Sequence, residues 1–138
     1  MSITLVYGRK NIIKKLLNKL EKYSCAVIIP EHLIDLDEFR TKNYKIFFIN
    51  HILEIINIVD KLAKINVKCI VVVLFEVLMP SDISLRRKLI EKLFIKLFAL
   101  MKAKELDIFI LSPQNSYSNE PLIKPPNYLI IKVQHEVN

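Results

Sequence analysis

Six short apolar runs constrain this chain more than anything else in its sequence: ITLVY at 3–7, CAVIIP at 25–30, KIFFI at 45–49, VKCIVVVLF at 67–75, IFILS at 108–112 and YLIIKVQ at 128–134. Several are continuous rather than alternating with polar residues. A strand that is apolar on both faces must be covered on both faces, as in a mostly parallel sheet flanked by helices. Helical periodicity fills most of the gaps. Residues 11–22 set Ile12, Ile13, Leu16, Leu17 and Leu20 on one stripe, opposite Lys14, Lys15, Lys19 and Lys22. Residues 31–40 can hold a short helix, and 51–64 repeat the pattern with Ile52, Ile55, Ile56, Val59 and Leu62. The longest helix is expected from roughly Asp82 to Glu105, after Pro80 and with Ser81 as its N-cap. The order β-α-β-α-β-α-β-α-β-β is that of an α/β fold with helices on both faces of the sheet.

At 138 residues and 52% apolar content, the sequence fits one domain over 1–138 with a real core and no room for a second. The longest membrane-span candidate, Cys69 to Phe75, is too short to cross a bilayer, so no membrane partner is expected. The start, MSITLVYGRK, lacks the basic region and cleavage site of a signal peptide, which points to the cytoplasm. Cys25 and Cys69 each lie within an apolar run and read as two buried, reduced thiols. His32, His51 and His135 are scattered and no CxxC occurs, so no metal site is expected. The net charge of +7 and pI near 9.4 suit a nucleic-acid partner. Ile, Lys and Asn nevertheless make up 49 of the 138 residues, and all three have A/T-rich codons, so genome composition is a second source of lysine. Where the charge sits therefore matters more than its total.

The first run leads directly into Gly8-Arg9-Lys10-Asn11-Ile12-Ile13-Lys14-Lys15. Set without a gap on the phosphate-loop pattern G-x-x-x-x-G-K-[ST], this stretch keeps the first glycine at Gly8 and the lysine at Lys14. It has Ile13 at the second glycine and Lys15 at the hydroxyl that would hold Mg²⁺. Backbone amides must curl round the phosphate unobstructed, and the metal needs its oxygen ligand. The frame survives without that chemistry.

The succession of altered slot, apolar strand, long helix, strand leading to a glutamine and long loop resembles the core of the RecA/RadA recombinase family, including its archaeal paralogs and KaiC-like relatives. The resemblance covers most of the chain and implies a truncated RecA-like P-loop NTPase core. In that family a strand like VKCIVVV ends in the Walker B aspartate; the matching position is Val73, followed by Leu74, and no carboxylate occurs before Glu76. Two requirements for Mg-ATP thus fail together, and the resemblance implies a protein without ATPase activity or bound cofactor. The basic helix that follows in the family corresponds to the stretch beginning Ser84-Leu85-Arg86-Arg87-Lys88. The family's I-L-T-N-Q appears as Ile110-Leu111-Ser112-Pro113-Gln114; its glutamine senses the γ-phosphate and signals to a loop that touches single-stranded DNA, here 115–127. No helix-hairpin-helix domain or polymerisation motif is recognisable.

The remaining chemistry is basic. Arg9, Lys10, Lys14 and Lys15 gather where the first strand passes to its helix, at the carboxyl end of a sheet where ligands commonly bind; a solvated polar helix face would carry the same lysines. Lys88, Lys92 and Lys96 form a ridge beginning near Arg86 and Arg87, and Ile95 and Leu100 of the same helix are candidates to face a partner subunit. Residues 112–127, with four prolines, form a loop offering Tyr117 for stacking and Lys124 for phosphate. The expectation is a non-catalytic RecA/RadA-like paralog that assists DNA recombination or repair. It would bind DNA, single strands favoured, or an active recombinase paralog, as a homo- or hetero-oligomer. The alternative is an inactive structural subunit that never touches nucleic acid. A small basic nuclease fits least, because Val73 and Leu74 end the central strand without a metal-binding carboxylate.

Overall fold

The computed structural model describes residues 1–9, 11–20, 22–31, 44–114 and 120–136. Within them the chain runs β1 (Ser2–Gly8), α1 (Asn11–Lys19), β2 (Cys25–Pro30), β3 (Tyr44–Ile49), α2 (Ile52–Leu62), β4 (Cys69–Val73), a short 3₁₀ turn (Glu76–Leu78), α3 (Ile83–Lys104), β5 (Asp107–Pro113) and β6 (Lys132–Glu136). The helix expected over 31–40 falls, beyond Glu31, outside the described residues.

All six strands are parallel and lie in the order β3-β2-β4-β5-β1-β6. The fold is therefore α/β, with the continuous apolar runs in the middle of the sheet. Every residue of β2 and β4 is buried. Helices close both faces. On one, α2 and α3 pack Ile55, Val59, Leu93, Phe94 and Leu97 against Ile3, Leu5, Ile28, Ile70 and Ile110. On the other, α1 brings Ile12 and Leu17 against Val6, Val71, Val73 and Leu111. Each fully buried Ile, Leu or Phe contributes roughly 1.5–3 kcal/mol relative to exposure. Odd and even strand residues divide between the two layers, as pleating requires.

Local sequence fixes the helix ends. α3 starts one residue later than expected: Asp82, not Ser81, is its N-cap, its Oδ1 accepting from the Leu85 amide at 2.9 Å. It ends on Glu105, which adopts the left-handed conformation (φ 55°) while its amide reaches the Met101 carbonyl. Lys96 bridges to Asp60 of α2 at 3.0 Å, and Lys104 donates to the Ala63 carbonyl. These contacts lock the helix pair. Of the two α3 residues expected to face a partner, Ile95 is exposed but Leu100 is buried in the core, so Leu100 is corrected to a packing residue.

Two further expectations change. Cys25 and Cys69 are not separate thiols but a disulfide joining β2 to β4, where register sets them directly opposite with Cα atoms 4.8 Å apart. The last strand is Lys132–Glu136 rather than 128–134. The apolar stretch before it is a crossover: Ile123 is buried, and Leu129 and Ile131 pack onto the α2/α3 core as the chain returns from β5. Tyr128 rests over α3, its phenol hydrogen-bonded to Glu91.

Candidate functional site

Parallel strands all end at the same side of the sheet, so the candidate residues converge by topology. β4, β5 and β1 are adjacent, and their carboxyl ends carry Val73-Leu74, Gln114 and Gly8. The Gln114 amide donates to the Gly8 carbonyl at 2.6 Å and the Leu74 amide to the Leu111 carbonyl at 2.8 Å. Gly8, the Val73-Leu74 end of β4 and Gln114 thus meet on three neighbouring strands.

The slot itself is short. β1 ends at Gly8 and α1 begins at Asn11, with the Ile12 amide bonded to the Arg9 carbonyl at 3.0 Å. Ile12, Ile13 and Lys14 are therefore already helical, in the stretch where a phosphate loop would still be curling round its ligand. Ile12 is buried, whereas Lys14 and Lys15 lie on the exposed side of α1. The chain's one glycine serves a different neighbour: a Cβ at Gly8 would stand 2.5 Å from the Glu136 carbonyl of β6 and 3.1 Å from the Ile12 side chain. A close approach of β6 to β1 requires glycine here.

Gln114 is almost fully buried, and its side chain is directed at the loop. Its Oε1 accepts from the Leu122 amide at 2.8 Å and its Nε2 donates to the Glu120 carbonyl at 3.4 Å. One side chain thereby joins the end of β5, beside the slot, to the loop expected to touch DNA. Sequence located the residue but not this coupling.

Among the described residues, Arg86 and Lys124 are engaged with carboxylates. Arg86 meets Glu76 at 3.1 Å and also donates through Nε to the Pro80 carbonyl, fastening the 3₁₀ turn to the first turn of α3. Lys124 faces Glu120 at 3.8 Å. Arg87 and Lys88 are exposed near the start of α3, on the layer opposite α1, so basic groups of both helix layers flank the carboxyl edge. Lys10 and Tyr117 lie outside the described residues. Glu76, the first carboxylate after β4, is therefore part of a structural ion pair.

Sequence reading passed over a cleft of about 230 Å³ between α1 and β6, lined among others by Ile12, Lys15, Leu16, Lys19, Gln134 and Glu136. On the opposite face of β6, His135 stacks on Tyr7 with ring centroids 4.5 Å apart. These residues become neighbours only through β1–β6 pairing, and no local motif announces it. Among the described residues, no group of three or more His, Cys, Asp or Glu is placed to hold a metal ion, and no helix is long and apolar enough to cross a membrane. No protein-family model matches the sequence, and no curated protein matches it.

Proposed function

We propose that this chain is a RecA/RadA-like protein without ATPase activity that assists DNA recombination or repair by ATP-independent binding of DNA, single strands favoured, or of a catalytically active recombinase paralog. The observation that carries this reading is the meeting of Gly8, Gln114 and Leu74 on adjacent strand ends, with Gln114 bonded to the 120–122 backbone. In the family the sequence resembles, the matching glutamine signals to a loop that touches single-stranded DNA, and a contact between Gln114 and the following loop supports that reading. The short turn from Gly8 to Asn11 and the apolar Val73-Leu74 end support loss of the nucleotide chemistry with retention of the frame. Arg9, Lys10, Lys14, Lys15, Arg87 and Lys88 would supply the phosphate contacts and Tyr117 a stacking surface. The Arg86–Glu76 and Lys124–Glu120 pairs favour a second reading, an inactive structural subunit, because they neutralise two of the expected DNA contacts.

Fluorescence anisotropy of labelled single- and double-stranded DNA over a salt series, with and without Mg-ATP, separates the two. DNA binding predicts steep salt dependence that Mg-ATP does not alter. The pair Arg87→Ala/Lys88→Ala should lower the log–log salt slope for single strands by about 1.4, at roughly 0.7 per lost phosphate contact. Absence of binding at low salt overturns the DNA arm and leaves the protein-partner reading.

A further inference from the structure

Among the described residues β6 pairs with β1 on one side only, and no described strand lies on its other side, an edge of the sheet. Lys132, Val133, Gln134 and His135 are all exposed, and Ile130 just before them is 89% exposed. An uncovered edge offers unpaired backbone donors and acceptors to another strand. We propose that the occupant of this edge is β6 of a second copy of this chain, paired antiparallel about a two-fold axis through Gln134 and normal to the sheet.

Charge complementarity selects that partner and that register. Gln134 and Glu136 line the cleft beside α1 while His135 stacks on Tyr7 on the other face, so even residues face the α1 layer and odd ones the α3 layer. A two-fold axis normal to the sheet keeps each residue on its own face, which limits pairing to even register sums. Centred on Gln134, the sequence Lys-Val-Gln-His-Glu sets Lys132 opposite Glu136 of the second copy at both ends, with Val133 opposite His135. A shift of one pairing step towards the amino end sets Lys132 opposite Gln134, and one towards the carboxyl end sets His135 opposite itself. Only the Gln134-centred register pairs both charges. Glu136 is already held on this face, its Oε1 accepting from Gln134 Nε2 at 2.8 Å. A chain of net charge +7 resists self-association through most of its surface, but β6 carries one cation, Lys132, and one anion, Glu136. The two six-stranded sheets become one continuous sheet with α1 of both copies on the same face.

This assembly does not depend on DNA binding. Its test is sedimentation velocity of the full chain from low to high micromolar concentration, with Lys132→Glu, Glu136→Lys and the double exchange K132E/E136K. The wild-type chain should be a dimer. Either single reversal sets like charges opposite each other at both ends and should weaken association by about thirtyfold, and the exchange should restore it. A wild-type chain that stays monomeric throughout, single reversals that associate as well as wild type, or a larger assembly indifferent to all three variants overturns the proposal. Far-UV circular dichroism checks folding. Should a single reversal unfold, the exchange variant decides alone: a dimer supports the edge pairing and a folded monomer overturns it.

Discussion

Reduction of the Cys25–Cys69 bond perturbs this fold without altering its sequence. The two residues sit opposite each other on β2 and β4, buried in the α1-side core and 44 positions apart. In the chain-entropy treatment, closing a loop of that length lowers the freedom of the unfolded chain enough to stabilise the native state by about 4 kcal/mol at 25 °C. Native packing around two reduced sulfurs changes little, because both half-cystines lie in ordered strands whose register is set by neighbouring pairs Ala26–Ile70 and Val27–Val71. Most of the effect should therefore appear as loss of unfolding free energy. With a urea m-value of about 2 kcal/mol/M, the midpoint should fall by about 2 M when unfolding is followed in excess reductant rather than without it. Tryptophan is absent, so far-UV circular dichroism is the probe. Thiol titration of the unreduced, denatured chain should find no free cysteine. Two titratable thiols in that sample, or a midpoint unmoved by reductant, would refute both the bond and the energetic argument.

Gly8→Ala should destabilise the fold by about 1–3 kcal/mol, because the new methyl meets the Glu136 carbonyl at 2.5 Å and backbone must move. Hydrogen exchange should show protection lost first at 132–136, and protection equal to wild type would contradict the close-approach argument. Glu105→Gly should raise stability by about 0.5–1 kcal/mol in denaturant melts, since glycine accepts φ 55° without the steric cost of a Cβ; an unchanged or lower midpoint counts against it. The Tyr128 phenol is held above the ordinary tyrosine value by desolvation, then by its hydrogen bond to Glu91 and that carboxylate's charge. This group leaves stability unaffected below the unfolded tyrosine value near pH 10 and lowers it as pH rises through the raised folded value. The component of the phenolate absorbance titration that Tyr128→Phe removes should shift to lower pH in Glu91→Gln, and an unshifted component would separate the crossover from α3.

The parallel sheet was legible because β2 and β4 are buried along their whole length and β5 over most of it, so their residues are apolar on both faces. The same signal misplaced β6. Leu129 and Ile131 are apolar because they cover the core from a crossover, whereas the strand itself, Lys-Val-Gln-His-Glu, is an edge with little covering it. Hydrophobicity reports burial, and an edge strand has little. The disulfide was illegible for a different reason: nothing in local spacing links Cys25 to Cys69, and only the β2–β4 adjacency brings them together. At the carboxyl edge, sequence found Gly8 and Gln114 but not their partners. Gly8 answers to β6 and Gln114 to the backbone at 120 and 122, both non-local contacts. Leu100 was misjudged because α3 is apolar around much of its circumference, so periodicity alone does not separate its core face from its exposed one.

The place of β1 in the sheet bears on how the chain is made. Its two neighbours are β5 and β6, so Ser2 pairs with Asp107, 105 positions away, and Thr4 with Lys132, farther still along the chain. During synthesis at about 5–20 residues per second, Ile3, Leu5 and Val6 emerge from the ribosome roughly 5–20 s before any strand that can cover their edges. A nascent chain interrupted before β5 leaves that apolar segment unpaired and adhesive. β1 is thus enclosed only after both β5 and β6 have been made, although it precedes every other described strand in sequence.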